Sequence, residues 1–139
     1  MNRPVIPSDM KAFNEKLIAD FRATGGRMSG PMGGRSLLLL TTTGARSGQP
    51  RTAVLGYVRA GDRYVVIASN NGAPRAPAWY QNLLANPSAV VEAGAERFEA
   101  RARTAEGAER VELARAVPYL ESQQKLTERV IPLVVLERV

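Results

Sequence analysis

The sequence predicts an α+β fold: an antiparallel β-barrel carrying an N-terminal helix and flanking helices. Three observations support this. Short runs of β-prone residues recur along the chain. Tight turns such as Ala60-Gly61-Asp62 and Gly94-Ala95 separate several of them, and hairpin joins favour antiparallel order over a doubly wound sheet. The run over residues 63–69 is apolar on both faces, with Tyr64, Val66 and Ala68 on one and Val65, Ile67 and Ser69 on the other. That pattern suits a barrel wall with a helix outside.

The 139 residues show no break in composition, so one domain is expected over 1–139, with an N-terminal helix and glycine-rich loop over 1–35 and the barrel over 36–139. The 45% hydrophobic content is enough for a real core. Cysteine is absent, which excludes disulfides, thiolate metal sites and cysteine nucleophiles. Histidine is absent too, removing the usual general base at neutral pH and the usual zinc ligand. The net charge is +6 and comes mostly from arginine, which suits bidentate binding of phosphate and carboxylate. These arginines are scattered, with few aromatics among them, so no nucleic-acid partner is expected. Residues 1–7 hold no apolar run, and no segment approaches the roughly 20 apolar residues of a membrane span. A cytoplasmic protein follows, with peripheral membrane contact left open.

Taken in order, Ser8 reads as the N-cap of a first helix, whose Met10, Phe13, Leu17, Ile18 and Phe21 form one apolar stripe. That stripe suits packing on the domain; with Lys11, Lys16 and Arg22 beside it, it also suits lying on lipid or lining a pocket. Residues 24–35, with five glycines and a proline, form a loop. Strands follow over 36–43, 51–59 and 63–69, the last two joined by a hairpin. Residues 70–77 form a turn-rich loop leading to a short helix over 78–85, which Asn86-Pro87 stops. Strands over 89–93 and 97–103 come next, the second with one wet face because Phe98, Ala100 and Ala102 alternate with charged residues. Thr104 reads as the cap of a helix buried through Ala108, Val111, Ala114 and Val117. A weaker helical piece over 120–129 and a last strand over 131–136 complete the chain.

The stretch that stands out for chemistry is Thr41-Thr42-Thr43-Gly44-Ala45-Arg46-Ser47-Gly48-Gln49-Pro50-Arg51. Two glycines around a turn permit positive φ and let backbone N–H groups converge, with Arg46 and Arg51 adding cations. Such a turn can hold a phosphate or carboxylate; an ordinary solvated turn has the same composition. It is neither a Walker loop nor Gly-x-Gly-x-x-Gly.

Three segments, LLLLTTTGARSGQPR, VIASNNGAPRAPAWYQNLLANP and ERVIPLVVLE, together resemble the deazaflavin-dependent nitroreductase family of actinobacteria over residues 37–137. The resemblance implies a split β-barrel of the FMN-binding type. It also implies coenzyme F420 as cofactor, with hydride transfer from its reduced form to quinone-like, nitro or other conjugated acceptors. On this basis Arg46, Ser47, Gly48 and Arg51 match residues around the cofactor's phosphate and oligoglutamate tail, and Arg75 adds a tail contact. Ala68 and Ser69 match residues near the deazaflavin ring, with Asn70 where relatives carry a lysine; Ala78, Trp79 and Asn82 match ring contacts on a helix. The hydride chemistry belongs to such a cofactor, so the missing histidine and cysteine are no obstacle and no metal or catalytic side chain is expected. The nitroreductases place several tyrosines in the region matching residues 117–124, where this chain has only Tyr119; a different acceptor pocket is implied, lined by Tyr57 and Tyr119. Two alternatives share the barrel: a protein that sequesters a ligand without turnover, and a flavoprotein using FMN, the less expected cofactor. Fold-level analogy adds a homodimer.

Overall fold

The computed structural model describes residues 10–25 and 36–139. The expected N-cap at Ser8 and most of the glycine-rich loop lie outside those residues. So do the side chains of Met10 and Phe13. Seven strands form one sheet: β1 (Leu37–Thr43), β2 (Pro50–Gly56), β3 (Val58–Ala60), β4 (Arg63–Ile67), β5 (Ser88–Ala93), β6 (Glu96–Thr104) and β7 (Leu133–Arg138). Among the described residues four α-helices accompany them: α1 (Met10–Thr24), α2 (Ala78–Ala85), α3 (Gly107–Ala116) and α4 (Leu120–Gln124).

The sheet order is β2-β1-β5-β6-β7-β4-β3, and every pairing is antiparallel. This bears out the expected α+β class. The two edge strands, β2 and β3, are consecutive in sequence with only Tyr57 between them. The chain leaving one edge therefore enters the other almost at once, so the sheet must curl until its edges meet. The continuous second strand expected over 51–59 is corrected here. Tyr57 separates β2 from β3; its N–H extends the β1–β2 pairing by one bond, to the carbonyl of Ser36 at 3.0 Å, before the chain enters the opposite edge.

Alternation along the strands sorts the core. Leu38, Leu40, Val66, Val91, Phe98 and Leu136 fill the inside of the curl, and Trp79 and Leu83 of α2 close it. Val65, Val135 and Leu133 face outward against Leu113, Val117 and Leu120 from the α3–α4 region. The two apolar faces read in the strand over 63–69 thus meet two different layers. On a third face, Phe21 and Ile18 of α1 pack on Leu37, Leu39 and Val54, the packed alternative for that helix.

Four expectations in the C-terminal half are corrected. Thr104 does not cap a helix: it pairs with Val134 in the ladder and its hydroxyl meets that of Tyr80 at 2.8 Å. The helix starts at Gly107 with Glu106 as its cap, which rotates its buried face onto Leu113 and leaves Ala108 and Val111 exposed. Helix α4 ends at Gln124 rather than near 129, and β7 begins only after Pro132, which cannot donate to a ladder.

Candidate functional site

The basic turn joins β1 to β2. Its glycines serve different ends. Gly48 has φ +70, the left-handed backbone expected of a turn glycine. Gly44 has no positive φ; it is needed for space, because a Cβ there would lie 2.6 Å from Ser47 Oγ and 3.2 Å from the carbonyl of Gln49. Within the turn, Gly44 N–H donates to Gln49 O at 2.8 Å, Gly48 N–H to Gly44 O at 2.9 Å, and Gln49 N–H to Ser47 Oγ at 3.2 Å.

Asn82 ties this turn to α2. Its Oδ1 accepts from the N–H of Ala45 at 2.9 Å, and its Nδ2 donates to Thr42 Oγ1 at 3.1 Å. Sequence alone makes Asn82 an exposed helix residue, yet it is only 7% exposed and both ends of its amide are committed. The remaining N–H groups of the turn, those of Arg46 and Ser47, meet no acceptor among the described residues. Nor does any carboxylate of those residues come within ion-pair distance of Arg46, Arg51 or Arg75. Two amides and two guanidinium groups therefore stand available along one rim.

That rim borders a cleft of about 500 Å³ between the turn, β2 and α2. Six sequence-predicted residues meet around it: Arg46, Ser47, Arg51, Ala78, Trp79 and Asn82. Trp79 serves two purposes, since it belongs to the inner core and also walls the cleft, standing edge-on to Tyr80 at 6.2 Å. Ala53 and Gln81 line it as well, although the sequence does not single them out. Their signal is periodic: Ala53 lies two strand residues beyond Arg51, and Gln81 lies three helix residues beyond Ala78.

The other predicted residues lie elsewhere. Gly48 is exposed on the turn, behind the lining. Ala68 is fully buried in the same inner cluster as Trp79, and Ser69 leads into a 3-10 turn over Asn70–Gly72. Asn70 has φ +48 and donates its side-chain amide to the carbonyl of Arg75 at 3.1 Å, bracing the loop that enters α2. Arg75 is exposed on that loop. The two expected acceptor-pocket tyrosines pack in different clusters: Tyr57 meets Tyr64 at 5.4 Å on the inner side, whereas Tyr119 belongs to the outer layer, its hydroxyl beside Gly56. The hydroxyl of Tyr119 is buried without a partner among the described residues, and burial raises its pKa. Neither tyrosine lines the cleft.

A curled antiparallel half-barrel with a cation-rimmed, tryptophan-walled cleft defines the class: a split-barrel protein. Comparison with known proteins gives the family. The F420H(2)-dependent quinone reductase family profile matches residues 15–138, and the chain belongs to that family.

An F420H(2)-dependent quinone reductase of Mycobacterium tuberculosis strain H37Rv is 46% identical over 86 residues, which are 61% of this chain and 58% of that protein. The match thus spans little more than half the length of that relative. Among solved structures, an F420-H2 dependent reductase, FDR-A, is 37% identical with a TM-score of 0.65, covering 74% of this chain and 95% of its own. A chain solved as a domain-swapped dimer is 33% identical with a TM-score of 0.68, covering 95% of this chain and all (100%) of its own. The heme storage protein HutZ of Vibrio cholerae, 18% identical with a TM-score of 0.53, shares the fold alone. Among the described residues no helix is long and apolar enough to cross a membrane.

Proposed function

We propose that this chain binds coenzyme F420 in the cleft between the basic turn and α2 and serves its two-electron transfer to a quinone-like acceptor. One observation carries the reading. The rim of the cleft holds two guanidinium groups and two amide N–H groups that have no partner among the described residues, beside an apolar wall of Trp79, Ala78 and Ala53. A phosphate and carboxylates suit the first set of groups, and a flat ring suits the second. When bound in its reduced form, the cofactor supplies the hydride, and a proton from solvent completes reduction of the acceptor. Arg46 and Arg51 bind the anionic end, Asn82 keeps their turn fixed against α2, and Trp79 excludes water from the ring side. Ala68, in the same inner core as Trp79, and Ser69 beside it belong to the ring end of this site.

Membership of a family described as F420H(2)-dependent supports the cofactor, and relatives described as quinone reductases support the acceptor class. The relative solved as a domain-swapped dimer supports a homodimer. A membrane-borne quinone would bring the chain to a lipid surface as a peripheral partner.

Trp79 is the chain's one tryptophan, so its fluorescence reports on the cleft. Titration with oxidised F420 quenches it saturably, and FMN at equal concentration does not. Arg46→Ala and Arg51→Ala each weaken binding by about 1–3 kcal/mol, the scale of a lost charge-assisted hydrogen bond. Normal F420 binding by both variants would refute the tail assignment. Binding without turnover of any quinone would favour the sequestering alternative instead.

A further inference from the structure

Arg129 has no part in the cleft, yet its side chain makes the densest set of long-range hydrogen bonds to main-chain carbonyls among the described residues. It reaches from the segment after α4 to the loop that follows β4. Its Nε donates to the carbonyl of Ala73 at 3.0 Å, and its Nη2 donates to those of Ala68 at 3.1 Å and Ser69 at 2.7 Å. One half-buried guanidinium thus gathers three carbonyls of a single loop. No carboxylate of the described residues competes for it.

The backbone that carries Arg129 is itself braced. Gln124 Nε2 donates to the carbonyls of Arg129 at 2.6 Å and Thr127 at 3.3 Å, and Gln124 Oε1 accepts from the N–H of Ile131 at 3.0 Å. The loop on the other side has little room to move. Gly72 has φ +78, and a Cβ there would lie 2.4 Å from the Cβ of Leu126. The N–H of Ala68 is tied to the carbonyl of Pro132 at 3.0 Å. Six residues beyond Gly72 the chain enters α2, which carries Trp79.

We propose that Arg129 is a positioning residue: by holding the carbonyls of Ala68, Ser69 and Ala73 it fixes the loop between β4 and α2, and with it the Ala68–Trp79 side of the cofactor site. This rests on the function proposed above. It assigns the two ends of the site different tasks. Arg46 and Arg51 set affinity through the anionic tail, whereas Arg129 sets the orientation of the wall that meets the ring. A misplacement of about 1 Å, even from a change far from the reacting atoms, can cost on the order of 100-fold in rate. The planar fork suits the task, because it spreads Nε and Nη2 over carbonyls set along a loop, whereas a lysine ammonium gathers its donors on one nitrogen at the end of a flexible stem.

The test compares the full chain with Arg129→Ala and Arg129→Lys. Without cofactor, amide hydrogen exchange at residues 69–73 speeds up on the order of ten-fold in Arg129→Ala, while β1 amides keep their protection. Millimolar guanidinium ion slows that exchange again in Arg129→Ala and leaves the unchanged chain as it was. With cofactor, F420 affinity stays within about three-fold, whereas turnover at saturation falls on the order of ten-fold and guanidinium restores part of it. Arg129→Lys, which keeps the charge but gathers its donors on a single nitrogen, falls between the two and serves if the alanine variant does not fold. Unaltered loop exchange in both variants would overturn the proposal, as would a loss of affinity with turnover at saturation intact. If the unchanged chain fails to bind F420, the functional reading fails and Arg129 loses its role in hydride transfer. The exchange data, obtained without cofactor, keep that failure distinct from a failure of the clamp itself.

Discussion

At the scale of single residues, Asn82 carries more than its place on a short helix suggests. Its amide is the link through which α2 holds the basic turn; its bond to Thr42 is buried and its bond from Ala45 is part-buried. Asn82→Ala would leave Ala45 N–H and Thr42 Oγ1 without their partner. The expected cost is about 1–3 kcal/mol of stability, the penalty for unsatisfied buried groups. Cofactor affinity falls with it, because Arg46 sits one residue from the released amide. Thermal unfolding checks the first effect and fluorescence titration the second. Asn82→Asp is milder, since a carboxylate still accepts from Ala45 and the Thr42 hydroxyl can turn to donate. Equal losses in the two variants would contradict this account. The family resemblance marks Asn82 as a ring contact, but its part in holding the turn is hidden in the sequence because its partners lie 37 and 40 residues away. Arg129, whose carbonyl acceptors lie 56 to 61 residues away, is hidden for the same reason. Arg46 and Arg51 are legible because the turn that presents them is local.

At the scale of elements, alternation makes the strands readable, whereas their ends depend on distant partners. Phe98, Ala100 and Ala102 face inward as their period-two spacing requires. Nothing in the spacing marks Tyr57 as a break, since tyrosine favours strands and the break comes from closing the barrel. Helix α1 shows how an element without a deep core is held. Phe21 and Ile18 supply its apolar contact, and Arg22 donates Nε and Nη2 to the two carboxylate oxygens of Glu92 on β5, at 3.0 and 2.9 Å. Glu92's pKa is lowered first by those hydrogen bonds and then by the charges of Arg22 and Arg97, against an opposing effect of burial. A carboxyl depressed in the folded chain contributes stability that is complete above its unfolded value and lost as pH falls through its folded value. Acid therefore loosens α1 before it unfolds the barrel. Half of the Arg22 side chain is exposed, so the pair is worth roughly 1 kcal/mol, the upper end for surface pairs. Protease cleavage within α1 quickens as pH is lowered below the ordinary carboxylate range. Glu92→Gln shows the faster cleavage already at neutral pH and a flatter pH profile. An unchanged profile in that variant would mean that Phe21 and Ile18 hold the helix alone.

At the scale of the whole molecule, the charge and the cleft act together. The net charge of +6 surrounds a rim whose two arginines have no carboxylate partner among the described residues. An anionic ligand approaching that rim is attracted over a distance set by salt, about 10 Å at 0.1 M. Such steering raises association rates on the order of ten-fold or more at low ionic strength and fades as salt is added. F420 carries a phosphate and several carboxylates, whereas a deazaflavin lacking both presents only the ring. Stopped-flow quenching of Trp79 separates the two contributions. The association rate of F420 falls as salt rises from about 10 mM to 0.3 M, the range over which the screening length shrinks most. The rate for the tail-less ring stays flat, and its weaker binding reports the apolar wall alone. Arg46→Ala brings the F420 curve toward the flat one, while Arg129→Ala leaves its slope unchanged, because the guanidinium of Arg129 is turned toward loop carbonyls rather than the cleft. A salt response shared equally by the tailed and tail-less ligands would place the anion's attraction elsewhere on this basic surface and detach it from the turn.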